Sequence, residues 1–362
     1  MPSLLHWRTE SIGVANAAVQ LSPQRTRAYT CVEPVQRKGA SGQMPIQEAD
    51  PWRMQYFEGV PCPADVSIPT EDGDAWSWYP RYKWVYDKMA VAESQGLPCG
   101  PHGLDPPQFP VFSKPIYNMR GMGAGSRIMR SLKEYKHLQR PGHMWMPLLQ
   151  GAHVSTDVAV VDGEPRWWRH VTGAALEGGM FDYWTVLAAN NPDVENYCGD
   201  WIRQHFAGYT GMLNLETIGG RIIEAHLRFA DQWPDLYGPG WVEALVKLYA
   251  QGVWDFADTD RRDGYSVVLF GAHGVQYRHP PAELVADMLR TPEVSSIQIT
   301  FHEDRPPSAH SMPPGGFRLA IVNCHDLDAG RRVREQLALG FWSAQSLLAK
   351  RGRRARAATT GD

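Results

Sequence analysis

The residues best suited to chemistry lie in one short stretch, MLNLETIGGRIIEAHLRF, at positions 212–229. It reads as two strands joined through Gly219-Gly220, and strand side chains alternate between faces. In the first strand Leu213 and Leu215 share one face, while Asn214 and Glu216 share the other. In the second, Ile223, Ala225, Leu227 and Phe229 read as the apolar face, with Glu224, His226 and Arg228 opposite. Two carboxylates brought this close repel, and they are costly to desolvate unless a cation lies between them. Hard oxygen ligands with room for water suit Mg2+ or Mn2+ bridging the phosphates of a substrate. The competing reading is a solvated sheet face with an internal Glu–Arg pair. Register decides between them. A plain two-residue turn at Gly219-Gly220 pairs Glu216 with Ile223 and puts the two Glu on opposite faces. A three-residue loop or a Gly bulge sets Glu216 across from Glu224.

A second group lies upstream. Ser113-Lys114-Pro115 closes an apolar strand, and RGMGAGSR follows it. Gly121, Gly123 and Gly125 let the backbone come close to phosphate oxygens, and their N–H groups can cradle negative charge. Lys114 would set a positive charge at the same mouth. The stretch is not a Walker A loop, since no GKS or GKT ends it, and GMGAGS lacks the spacing of the dinucleotide fingerprint. A flexible turn is the plainer reading of this loop taken alone.

The elements that must hold these groups follow from periodicity and breakers. A helix is expected from about Tyr82 to Gln95, ended by Gly96, Pro98 and Gly100. PQFPVFSKPIYNM reads as a strand bounded by prolines, and SLKEYKHLQ as a short helix stopped by Arg140-Pro141-Gly142. HMWMPLLQG leads into the strand HVSTDVAVV, and Asp162-Gly163 turns it into PRWWRHV. Helices are expected over Pro192–Ala207, Trp241–Gln251 and Asp328–Leu348, with strands GYSVVLF and FRLAIVN between the last two. Residues 57–80 read as short extended pieces broken by Pro and by TEDGD. Residues 1–50 suggest a small, partly irregular lobe, and KRGRRARAATTGD a basic, solvated tail.

The bulk numbers set bounds. At 362 residues the chain allows two or three domains or lobes. Its 43% hydrophobic and 21% charged residues are those of an ordinary soluble globular protein. A net charge of -3 gives no reason to expect nucleic acid or an anionic membrane as partner. Five scattered Cys without a CxxC make neither a disulfide framework nor a zinc site. No signal-peptide core opens the sequence, and no apolar run reaches the ~18 residues of a membrane span. The cytoplasm is the expected location.

The order of the parts says more than any one part. YDK, SKP, a Gly-rich loop, a hinge with QG, a strand carrying TDV, then LNLE and IIEAHLR follow one another. This order resembles the ATP-grasp superfamily, which includes biotin carboxylase and D-alanine–D-alanine ligase, over about residues 57–235 and more weakly to 348. The resemblance implies an α+β fold with two lobes sandwiching the nucleotide and a reduced N-terminal lobe. It divides the chain into 1–78 (N-terminal lobe), 79–145 (first ATP-grasp lobe with the Gly-rich loop), 146–348 (second lobe with the metal site) and 349–362 (basic tail). It implies that Lys88 and Lys114 contact ATP, and that Gly121, Gly123, Gly125 and Ser126 close over the phosphates. Met146 to Leu148 would read the adenine edge, and His153 stands where a ribose-binding polar residue is common. Glu216, Glu224 and His226 would hold Mg2+ or Mn2+, and Arg228 would face the reacting group.

The departures are Pro147 in the hinge, a short span from Lys88 to Lys114, and His226 where the family usually has Asn. Imidazole suits Mg2+ less well than softer metals. The reaction implied is activation of a carboxylate as an acylphosphate, followed by attack of an amine or related nucleophile. Small-molecule acid and amine are the expected partners, and a homodimer is compatible with the reading. A nucleotide-binding module without turnover and a kinase acting on a hydroxyl are the alternatives. Arg169, His170, Asp182, Tyr183 and Trp184 are candidates to shape the substrate pocket, or else serve packing and surface pairing.

Overall fold

Prolines and glycines cut the middle of the chain into short runs, and the runs pair as antiparallel strands. The computed structural model describes residues 44–47, 50–117, 119, 123–310 and 313–343. These belong to one contact unit spanning Ser41–Asp362. Gly121, residues 1–43 and the basic tail lie outside the described residues.

A small sheet comes first, from β1 (Gly100–Pro101), β2 (Val111–Pro115), β3 (Arg127–Met129) and β4 (His143–Pro147), in the order β1-β4-β2-β3. Its neighbours all run antiparallel. The Gly-rich segment is the connection between β2 and β3. The large sheet uses β5 (His153–Val161), β6 (Glu164–Ala175), β7 (Phe181–Val186), β8 (Gly211–Ile218), β9 (Arg221–His226) and β10 (Gly264–Gly271). A short β11 (Tyr277–Arg278) stands apart, and β12 (Val294–Ile299) and β13 (Phe317–Cys324) complete the sheet, in the order β12-β13-β10-β7-β6-β5-β8-β9. The turn at Asp162-Gly163 is a two-residue hairpin turn with both residues at positive φ, as such turns require.

The helices are α1 (Pro51–Met54), α2 (Asp72–Trp78), α3 (Lys88–Glu93), α4 (Leu132–Leu138), α5 (Pro192–His205), α6 (Trp241–Gln251), α7 (Ala282–Leu289) and α8 (Leu327–Gly340). α5 starts where Asn191 caps the Val194 N–H and Pro192 sets the first turn. Three expectations are corrected. The helix expected over Tyr82–Gln95 is a 3-10 turn, Lys83–Tyr86, and then α3, because Asp87 leaves the helical region and caps the Met89 and Ala90 N–H groups. The TEDGD stretch, read as a break between short extended pieces, instead starts helix α2, with Asp72 and Asp74 in the first turn where carboxylates favour the helix dipole. α8 stops at Gly340, and the chain leaves it to pair Trp342–Ser343 with Tyr277–Arg278.

Each face of the large sheet is covered. Trp201 and Ile202 of α5 pack with Leu213, Leu215, Ala225 and Leu227 on one side, together with Tyr82 and Tyr86. Trp241, Leu245 and Leu248 of α6 join Val171, Met212 and Phe229 in another cluster, with Phe57 and Ile68. A further cluster spans both sheets, joining Met144, Met146 and Phe112 to Ile223. Among the described residues no helix is long and apolar enough to cross a membrane.

Candidate nucleotide and metal site

The site begins with the register of β8 and β9. Ile218 pairs with Arg221, so Gly219-Gly220 is a plain two-residue turn, with φ of 55° and 77°. A Cβ on Gly219 would sit 2.2 Å from the Gln150 carbonyl oxygen, so both its φ and its neighbour demand glycine. Thr217 pairs with Ile222, and Glu216 then pairs with Glu224. Ile223 is the extra residue of a β-bulge, and the bulge sets the two carboxylates opposite each other. The bulge also corrects the face assignment. Ile222 joins Ala225 and Leu227, whereas Ile223 turns toward the small sheet and Phe229 enters the α6 cluster.

Two side chains from outside the large sheet fasten this bulge. Lys114, at the end of β2, donates from Nζ to the Ile223 carbonyl at 2.7 Å. Gln95 donates to the Ile222 carbonyl at 2.7 Å and accepts from the Ile222 N–H at 2.8 Å. Gln95 thus acts as one more strand residue along the sheet edge, satisfying groups that an edge would leave open.

Around the bulge the charges interlock. Lys88 lies 2.8 Å from Glu224, and His153 lies 3.1 Å from Glu216. One ligand atom each from Glu216, Glu224 and His226 can be chosen so that all lie within 4.8 Å of one another. Burial raises the Glu216 pKa, but the His153 hydrogen bond and the charges of His153, His226 and Lys88 outweigh it and hold the group at about 2. That hydrogen bond in turn raises His153 against burial. Burial, with the neighbouring charge of Lys88, lowers Lys114 to about 8. Two carboxylates and an imidazole at this spacing fit a divalent cation.

Sequence reasoning missed Asp72. It accepts from His226 Nδ1, 3.1 Å from each carboxylate oxygen, and pairs with Arg228 at 2.8 Å from Nε and 3.2 Å from Nη2. Burial raises Asp72, but Arg228 and His226 hold it far below the usual carboxylate range. Burial lowers His226, and Asp72 and Glu224 reverse that shift against Arg228, leaving it raised. Asn214, across the ladder from His226, is tied to Ser155 at 3.0 Å and Asp157 at 2.7 Å. Gln95 was also missed. Neither residue carries a motif, and only an acidic residue at a helix start could have pointed to Asp72.

The remaining sequence candidates are distributed as follows. Met146 is buried opposite Phe112 on β2, and Leu148 is half-buried in the connection to β5. Gly123 and Gly125 have φ of 60° and 80°, and the Ser126 N–H closes the turn onto the Gly123 carbonyl at 3.1 Å. Arg169 is fully buried, 2.6 Å from Asp258, and His170 bridges Thr156 and Glu195 at 3.0 Å each. Asp182 pairs with Arg331 and Arg334, and Tyr183 packs beneath Arg331. The contacts these four make are packing and pairing contacts. Trp184 alone of that group approaches the site, its ring 6.2 Å from that of His153.

No family model matches the chain, and no curated protein matches it. Solved structures do. An L-amino acid ligase from Bacillus licheniformis superposes with a TM-score of 0.52 at 13% identity, covering 72% of each chain. A phosphoribosylamine–glycine ligase from Thermotoga maritima gives 0.53 at 14% identity, covering 80% of this chain and 86% of that one. At such identity the likeness establishes architecture, an α+β fold shared with ligases. That architecture is the ATP-grasp fold.

Proposed function

We propose that the chain is an ATP-dependent ligase that activates a carboxylate as an acylphosphate and transfers the acyl group to an amine or related nucleophile. One observation carries the reading: Glu216, Glu224 and His226 of the large sheet meet Lys88 and Lys114, which precede it in the chain, in one place. The carboxylate oxygen of the substrate attacks the γ-phosphoryl group and ADP departs. The amine then attacks the acyl carbon and phosphate departs. Glu216, Glu224 and His226 would hold Mg2+ or Mn2+, which neutralises charge on the phosphate oxygens when bound.

The chain's own residues would do the rest by positioning and charge, as in other phosphoryl transfers. Lys88 and Lys114 would face the phosphates. The segment with Gly121, Gly123, Gly125 and Ser126 would exclude water from the labile acylphosphate. Met146 to Leu148 would meet the adenine edge, and His153, beside Glu216, would meet the ribose. Arg228 adds positive charge next to the reacting groups while its direct partner is Asp72. In this reading residues 79–145 and 146–348 are the two lobes.

The test is incubation with ATP, Mg2+ or Mn2+, and pooled carboxylic acids, with hydroxylamine as the amine. ADP release together with hydroxamate formation is expected. A phosphorylated hydroxyl product without hydroxamate would make the chain a kinase. Nucleotide binding without ADP release across the pool would leave a binding module.

A further inference from the structure

Resting on the reading of this site as the metal site, we infer that Asp72 and His226 form a carboxylate–imidazole pair that adds a nitrogen ligand to the Glu216–Glu224 site and shifts its preference from Mg2+ toward Mn2+. The imidazole has two nitrogens with different surroundings. Nδ1 lies 3.1 Å from both Asp72 oxygens, so the Nδ1–H is donated to that carboxylate. Nε2 lies 3.7 Å from Glu224 Oε1, beyond hydrogen-bond reach, on the side of the two carboxylates. The lone pair of Nε2 therefore faces the metal position.

The ring is held in this orientation from several directions. His226 and Asp72 are each only 5% exposed. Arg228 grips Asp72 through Nε at 2.8 Å and Nη2 at 3.2 Å, and the Tyr86 hydroxyl donates to Asp72 at 3.3 Å. The Tyr86 ring meets the His226 ring edge-on, with centroids 6.3 Å apart. Turning the imidazole over would break the Asp72 bonds inside a closed pocket. A carboxylate on the far nitrogen fixes the tautomer and strengthens the ring as a ligand. Mg2+ binds oxygen ligands and keeps its waters, whereas a mixed carboxylate and imidazole set favours Mn2+ and later divalent metals. Asp72 is thus a positioning residue contributed by the segment that precedes both sheets.

The experiment loads the full chain with Mn2+ alone and records its pulsed electron paramagnetic resonance, with Mn2+ and Mg2+ affinities measured in parallel. An imidazole nitrogen coupling is expected in the wild type and is expected to vanish in His226→Asn. The ratio of Mn2+ to Mg2+ affinity should fall at least about tenfold in that variant, which leaves the Asp72–Arg228 pair intact. Asp72→Asn should weaken Mn2+ binding about 10–100-fold, with thermal unfolding recorded to separate a folding defect. Bound Mn2+ without nitrogen coupling, or an unchanged affinity ratio in His226→Asn, would overturn the inference. Glu224→Ala distinguishes the two levels. If Mn2+ binding needs Glu224 but shows no nitrogen, only the role of the pair fails. If Mn2+ binding ignores Glu224, the site itself is misassigned.

Discussion

At the scale of single residues, the site is a balance of charges that a nucleotide and metal would rearrange. Glu224 is central, since Lys88 and His226 both approach it. Replacing it with Ala should abolish metal-dependent nucleotide binding by calorimetry, and unchanged binding would remove the site assignment. Lys114 makes a pH prediction. Burial and Lys88 lower it to about 8, against an ordinary value of 10.5. Its charge is therefore present below that pH and lost above it. Nucleotide affinity should decline as pH rises through about 8, and Lys114→Met should flatten that decline. The folding term has the opposite sense. Between about 8 and 10.5 the unfolded chain binds the proton and the folded one does not, so this group's contribution to stability rises with pH there. An affinity profile equally steep in the variant would show that another group titrates.

At the scale of elements, the bulge at Ile223 is what a reader of the sequence could require but not locate. The alternation of LNLE and EAHLR, the two glycines and the bounds of α6 were legible, because each rests on local periodicity or turn chemistry. The need for a bulge or odd loop was legible too, because the carboxylates cannot otherwise share a face. Its place was misread: the bulge or odd loop was expected at Gly219-Gly220, but those glycines form a plain turn and the bulge falls at Ile223, because its fasteners lie far away in the chain. Gln95 is 127 residues from Ile222, and Lys114 is 109 residues from Ile223. The same holds for Asp72, which is 154 residues from His226 and whose helix hid in a Pro- and Asp-rich stretch. Gln95→Ala should leave the Ile222 N–H and C=O without these partners. Each buried backbone group left unpaired costs about 1–3 kcal/mol. Denaturant unfolding should show a loss of that order, with weaker nucleotide binding as Lys114 loses a fixed partner. An unchanged midpoint would mean that water or another side chain replaces Gln95 without cost.

At the scale of the whole described unit, three stretches distant in the chain converge on one hairpin. Asp72 comes from the segment before the sheets, Lys88 and Lys114 from the region of the small sheet, and the carboxylates from the edge of the large one. Such an arrangement ties ligand binding to the stability of the entire unit, since a ligand that binds only the folded form stabilises it by mass action. Lys88 shows how the coupling should work. It is buried and it neutralises Glu224, which faces Glu216 across the ladder. Lys88→Met removes that positive charge and leaves two opposed carboxylates with less compensation. A fully buried pair broken from one side costs about 3–5 kcal/mol. Glu224 keeps 18% of its side-chain surface exposed, so the loss should be smaller, roughly 1–3 kcal/mol. A divalent cation bound between the carboxylates would supply the missing charge. The metal-free variant should therefore melt below the wild type, and Mn2+ should raise its melting temperature by more than it raises that of the wild type. Equal shifts in the two proteins would mean that Lys88 and the cation do not act on the same carboxylate, and the coupling between the two regions would then rest on Lys114 and Gln95 alone.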